Sequence, residues 1–263
     1  MRVDTNEMSP FAIERAPSPL PSPPAWGLCQ NVISRRKPRN PGSSQNLPLP
    51  DCDTASWVRR RGEGAIHTLQ TLGFRGSVLF ASAPPVHGAG LHLALRLLGA
   101  LAQLDPRSSA PADENGLTLH KSALGGPRLF VGDKEGPSLS FSHGKGRLWA
   151  AMSGRGNVGI DAAYPEEFVG VYPFHRAFSN EELDCAEALC PNDRARGAAL
   201  MWAAKEASVK ATGAGFNLFD PLEVRVGTPF VREQGILFDV LADRPVSVWV
   251  RPEGRGWMSV ALA

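Results

Sequence analysis

An α+β fold in two similar halves is predicted by three observations. Helical spacing is confined to a few segments, such as Leu91, Leu95, Leu98 and Ala102. Period-two apolar segments cluster instead of alternating with helices, once between Leu117 and Asp161 and again after Gly215. The order strand, helix, strands is also read twice, before Asp161 and from Asp161 onward.

The elements follow from local signals. Ser77–Ala81 is apolar and β-prone, and Leu91–Leu104 carries the first helical stripe. Leu117–His120, Arg128–Val131, Ser138–Ser142 and Arg147–Met152 are short strands between Gly/Pro turns. Val158–Asp161 is an apolar strand ending in a carboxylate. Ser179 and Glu182 form a capping-box pattern, starting a helix that runs to Leu189 and stops at Pro191. Asn192 or Asp193 caps a longer helix, which passes through Trp202 to Thr212 and ends at Gly213. Leu222–Val226, Ile236–Leu241, Val246–Val250 and Trp257–Leu262 complete an antiparallel meander.

The 263 residues divide into a leader, 1–56, and two subdomains, 57–156 and 157–263. Ten of the 23 prolines fall in the first 50 residues, and the Pro-rich run Ala16–Pro24 can hold neither a helix nor a central strand. With the basic, turn-rich stretch Arg35–Ser44, this reads as a disordered arm, either a solvated tail, an over-extended start or a docking segment. Order is expected from about Trp57.

The net charge of +2 excludes a protein that wraps nucleic acid through bulk positive charge. Residues 1–64 hold nine Lys/Arg against six Asp/Glu, whereas the remainder holds nineteen against twenty. The ordered body must therefore meet any anionic ligand through placed groups. Four cysteines (Cys29, Cys52, Cys185, Cys190) lack the Cys-x-x-Cys spacing of a zinc ribbon and are too scattered for a disulfide scaffold. Cys185 and Cys190 are expected to pack. No apolar run approaches the ~20 residues of a membrane span, and Met1–Pro24 has no signal-peptide core, so a cytoplasmic protein without membrane partners is expected.

Two segments can do chemistry. Val158-Gly-Ile-Asp161 presents a carboxylate at a strand end. In Trp202-Ala-Ala-Lys-Glu-Ala-Ser-Val-Lys210, Trp202, Glu206 and Lys210 share one helix face. Two carboxylates from different elements suit a hard divalent cation, which completes its shell with water and phosphate oxygens. A lysine one turn away can offset charge on a transferring phosphoryl group. Alone, Glu206–Lys210 is equally an ordinary helix ion pair.

A third segment, Pro137-Ser-Leu-Ser-Phe-Ser-His143, places a histidine after an alternating strand. Ser140-Phe-Ser-His143, then Val158-Gly-Ile-Asp161, then Trp202-x-x-Lys-Glu-x-x-x-Lys210 resembles the 4'-phosphopantetheinyl transferases, in particular the long branch that serves peptide and polyketide synthetases (the Sfp-like type). Leu124-Gly-Gly-Pro-Arg128 resembles the family's Gly-Lys/Arg-Pro turn upstream of the histidine, and Arg176–Leu183 resembles its Arg-Phe-Phe-Ser-x-x-Glu segment. The likeness spans about Lys121 to Leu262, is weaker from Gly62, and leaves residues 1–56 without a counterpart.

The resemblance implies two pseudo-symmetric halves, a monomer, and coenzyme A between the halves as co-substrate. It implies Mg²⁺ held by Asp161 and Glu206. A serine of an apo acyl or peptidyl carrier protein would attack the β-phosphorus and release 3',5'-ADP. Glu206 would be general base, directly or through a metal-bound water. Lys210 would stabilise the bridging or leaving oxygen, Lys205 would face the phosphates, and His143 with Ser142 would meet the nucleotide. Two departures stand out. Asp161 is followed by Ala162-Ala163 where the family often has a second acid, which predicts weaker Mg²⁺ binding. Gly126 stands where a Lys or Arg usually meets the 3'-phosphate, which leaves that role to Arg128 or Lys121 or the nucleotide end less tightly held. These departures also fit a non-catalytic relative that binds a carrier or nucleotide, the competing expectation. A nucleic-acid or partner-binding module driven by the basic leader would account for residues 1–64 alone.

Overall fold

The computed structural model describes residues 65–69, 78–104, 116–216, 218–232 and 235–263. The expected leader, the start of order at Trp57, the first residue of the Ser77 strand, and Cys29 and Cys52 lie outside them.

The first half is a four-stranded antiparallel sheet. It comprises β1 (His67–Leu69), β2 (Val78–Ala83), β7 (Arg147–Ser153) and β6 (Ser138–Gly144), in that spatial order. β6 and β7 form a hairpin whose two-residue turn, Lys145-Gly146, has positive φ at both positions. Such a turn twists in the sense that the two strands require. Helix α1 (Ala89–Leu104) covers one face, burying Leu93, Leu97, Leu98 and Leu101 against Leu79, Ala81, Ala150 and Met152. A separate three-stranded sheet holds β3 (Leu117–Lys121), β4 (Pro127–Val131) and β5 (Lys134–Glu135).

The second half repeats the connectivity. Strand β8 (Val158–Ala163) leads to helices α2 (Asn180–Leu189) and α3 (Arg194–Thr212). The chain then forms β9 (Arg225–Val226), β10 (Phe230–Arg232), β11 (Gly235–Leu241), β12 (Pro245–Glu253) and β13 (Gly256–Leu262). The last strand returns to pair antiparallel with β8, just as β7 returns to β2. The spatial order β10-β11-β12-β13-β8 carries β9 against β11. The expected α+β class and its twice-read order are thus present.

Local chemistry explains the boundaries. Ser179 Oγ accepts from Glu182 N–H while the Glu182 carboxylate accepts from Ser179 N–H, the expected capping box. Asp193 caps α3 by accepting from Arg196 N–H, and Gly213 ends it at φ +81°. The expected strand Leu222–Val226 shrinks to Arg225–Val226. Asp220 captures the segment first: its side chain accepts from Leu222 N–H and its carbonyl from Glu223 N–H, making a turn.

The faces opposite the helices meet in a shared core. Val78, Phe80, Trp149 and Ala151 from the first sheet join Val158, Ile160, Ala162, Met258 and Val260 from the second. Period two along β8 therefore sends Val158, Ile160 and Ala162 to this core. Gly159, Asp161 and Ala163 face the helices.

Candidate functional site

Asp161 and α3 are brought together by small residues. A Cβ on Gly159 would fall on the Ala207 carbonyl oxygen and 2.7 Å from Ala211 N, so only glycine admits the helix at this distance. Ala203, Ala204, Ala207 and Ala211 keep the facing side of the helix equally slim and are fully buried. This close packing sets Glu206 and Lys210 beside the carboxylate one residue beyond Ile160.

Lys210 Nζ donates to Asp161 Oδ1 at 2.7 Å and to the Ile160 carbonyl at 3.2 Å, and lies 3.3 Å from Glu206 Oε1. The two expected metal carboxylates thus converge on one cationic atom. Asp161 is buried, while Glu206 and Lys210 are partly open to solvent. Burial, then the Asp161 charge, push the Glu206 carboxyl above its usual range, with Lys210 and Trp202 pulling the other way. Burial opposes the Lys210 charge, but Asp161 and Glu206 outweigh it and hold the ammonium above its ordinary value.

The donor set fits a divalent metal. Two carboxylates from different elements already share a cation, and both offer hard oxygen donors. Among the described residues, no cluster of three or more His, Cys, Asp or Glu side chains is placed to hold a metal. Ala163, two residues past Asp161, is buried and adds no ligand. Glu167 follows in the short 3-10 helix Pro165–Phe168, where its carboxylate accepts from Tyr164 N–H. Burial raises its pKa, and the Asp161 charge adds to the rise.

Other expected site residues lie elsewhere. Lys205, expected to face phosphates, is turned into the protein. It is buried, with its ammonium on Glu182 Oε2 at 2.8 Å and on the carbonyls of Ala177 and Pro221. Lys205 is one residue from Glu206, and a 100° step on the helix carries it to the surface that packs on α2. Burial lowers its pKa, with Glu182 opposing the shift. Glu182 itself also accepts from Ser179 and Val226 N–H groups, so the pair locks α2 and β9 onto α3.

Ser142 and His143 are consecutive in β6, so their side chains leave opposite faces of the strand. His143 is exposed at the end of β6, opposite Leu148. The Ser142 hydroxyl is buried and donates to Asp161 Oδ1 at 2.9 Å, where a cofactor contact was expected. Arg128 is exposed but committed to Glu135 by two hydrogen bonds of 2.9 and 2.6 Å. Lys121 is exposed at the end of β3. Gly126 sits in the β3–β4 turn, where a Cβ would meet only Ser122 Oγ at 3.5 Å, so space does not explain the missing side chain.

Phe178 is buried in the core. Trp202 is half-buried, stacked on Phe216 with ring centroids 4.9 Å apart. Cys190 is buried at the end of α2 and Cys185 is half-buried, and neither forms a disulfide.

A basic cavity escaped the sequence reading. About 480 Å³ opens between the end of β2 and the start of α1, lined in part by Ser82, His87, His92, Arg96 and Arg147. Arg147 donates to Ser82 Oγ from Nε and Nη2, at 3.1 and 2.7 Å, bracing one wall. The available signal was His92 and Arg96 at i, i+4 in the first turns of a helix, whose N-terminus favours anions. Arg147 joins them only through strand pairing.

A family model described as the 4'-phosphopantetheinyl transferase superfamily matches residues 157–251, from the start of β8 into β12. That segment, which carries Asp161, Glu206 and Lys210, is what resembles this superfamily. No curated protein matches the chain. Among the described residues, no helix is long and apolar enough to cross a membrane.

Proposed function

We propose that this chain transfers the 4'-phosphopantetheine group of coenzyme A to a serine of an apo acyl or peptidyl carrier protein, in the manner of the long, single-chain Sfp-like branch. The observation that carries the reading is the convergence of Asp161 and Glu206 on Lys210 within the matched segment. A site abandoned by catalysis would keep three partly desolvated charges without use, at a cost that an apolar substitution relieves. The non-catalytic alternative has no comparable observation in its favour.

Asp161 and Glu206 would hold Mg²⁺, which when bound neutralises pyrophosphate charge and polarises the reacting phosphorus. Glu206 accepts the proton of the carrier serine. The serine oxygen then forms a bond to the β-phosphorus as the bond to the 3',5'-ADP oxygen breaks. Lys210, held charged between the carboxylates, stabilises the oxygen on which charge develops. The cavity with His87, His92, Arg96 and Arg147 is of a size and polarity to receive the nucleotide end, a task for which Arg128 and Lys205 are otherwise engaged.

The test incubates the full chain with Mg²⁺, fluorescent coenzyme A and several apo carrier proteins. Label should appear on a carrier, and Asp161→Ala and Glu206→Ala should abolish it. Unchanged labelling by those variants would overturn the site, and no labelling of any carrier would overturn the activity.

A further inference from the structure

Strands β6 and β8 run side by side at the edges of the two sheets, yet they are not joined by a backbone ladder. Three alternate serines make the seam. Ser138, Ser140 and Ser142 present hydroxyl oxygens to the backbone N–H groups of Val158, Ile160 and Ala162, at 3.0, 3.1 and 3.2 Å. Each hydroxyl takes the place of a partner carbonyl, satisfying donors that would otherwise be buried unpaired.

The third serine does more than the first two. A hydroxyl has one proton and two lone pairs. At Ser142 one lone pair is taken by Ala162 N–H, and the proton is directed to Asp161 Oδ1 at 2.9 Å. Both side chains are buried, so bulk water does not compete. Oδ1 also receives Lys210 at 2.7 Å, whereas among the described residues no hydrogen bond is made to Oδ2. Ser142 thereby holds the carboxylate by the same oxygen that Lys210 meets as a counter-ion.

We propose that Ser142 is a positioning residue that fixes the Asp161 carboxylate for a divalent cation, tying the cation site to the seam between the two halves. The inference rests on the cation-dependent reading above. Ser138 and Ser140 serve as internal controls, because they make the same backbone contact but touch no carboxylate.

The experiment measures Mn²⁺ binding to the full chain by paramagnetic resonance and calorimetry, without coenzyme A or carrier. Melting is recorded for every variant. Ser142→Ala should weaken Mn²⁺ binding on the order of tenfold, the usual cost of freeing a ligating side chain from its hydrogen-bonded support. Ser140→Ala should lower the melting temperature comparably while leaving affinity near that of the wild type. Ser142→Thr, which keeps the hydroxyl, should restore most of the affinity. If Ser142→Ala does not fold, Ser142→Cys keeps the volume with only a weak donor and should show the same loss. Wild-type affinity in the Ala or Cys variant, with Asp161→Asn abolishing binding, would overturn the positioning role alone. Equal weakening by Ser140→Ala would also overturn it. Failure of the wild type to bind Mn²⁺ would overturn the cation reading together with this one.

Discussion

Gly159 of β8 lies directly under the Ala207 carbonyl of α3, with no room between them for a methyl group. That contact sets the height of the helix that carries Glu206 and Lys210 above the strand that carries Asp161. Gly159→Ala must lift α3 or bend β8, an overpacking that typically costs about 1–3 kcal/mol. The catalytic effect should be larger, since misplacing reacting groups by about 1 Å costs on the order of 100-fold in rate. Melting and transfer assays on the folded fraction separate the two. A variant with a lowered melting temperature but wild-type turnover would show that helix height does not set the geometry.

Lys205 should behave as part of the core. Its ammonium and the Glu182 carboxylate are both buried, so Lys205→Met leaves an unpaired carboxylate, at a cost of roughly 3–5 kcal/mol. The double variant Lys205→Met, Glu182→Gln should recover much of that loss. For molecules that remain folded, the KM for coenzyme A should be unchanged. A raised KM with unaltered stability would return Lys205 to the phosphates.

Much of the scaffold was legible because its signals are local. Ser179, Asp193 and Gly213 punctuate α2 and α3 through contacts within a few residues. Asp161, Glu206 and Lys210 were legible as types, and their meeting needed only the strand–helix contact at Gly159. The failures are of another kind. Helical phase alone turns Lys205 from Glu206, but its partner Glu182 belongs to a different helix. Arg128 finds Glu135 across a hairpin, and Ser142 finds Asp161 across two sheet edges. Arg147 reaches the basic cavity through its register with β2. Partner choice at such distances is decided by topology, which one-dimensional periodicity does not carry. β1, β5, β9 and β10 are only two or three residues long, too short to show a period.

The raised pKa of Glu206 gives stability a pH dependence of definite sign. Its folded-state pKa lies above the unfolded carboxylate value of about 4.3, chiefly through burial and secondarily through Asp161. Its contribution to stability is therefore fully present below that unfolded value and is lost as pH rises through the folded one. Without divalent cation, Glu206→Gln should gain on the wild type as pH increases from 4 to 7, measured by melting in chelator. Burial also raises Glu167 and Glu253, but both are common to the two proteins and drop out of the difference. Millimolar Mg²⁺ should reverse the order at pH 7, because only the wild type keeps both carboxylates. A difference that is flat in pH would refute the burial argument.

Lys210 occupies the point on which both carboxylates converge, so it should compete with a divalent cation for them while remaining necessary for transfer. Lys210→Met removes the competing charge and keeps most of the side-chain length. Mn²⁺ affinity should rise on the order of tenfold, equivalent to about 1.4 kcal/mol. Transfer should nonetheless fall by at least ~100-fold, since the group that meets developing charge on oxygen is gone. These opposite movements distinguish the role from a merely structural one, which would weaken binding and turnover together. The cation-free variant should also melt lower than the wild type, because Asp161 loses the charge that compensates its burial. Weaker Mn²⁺ binding in Lys210→Met would mean that the ammonium helps to build the cation site rather than fill it.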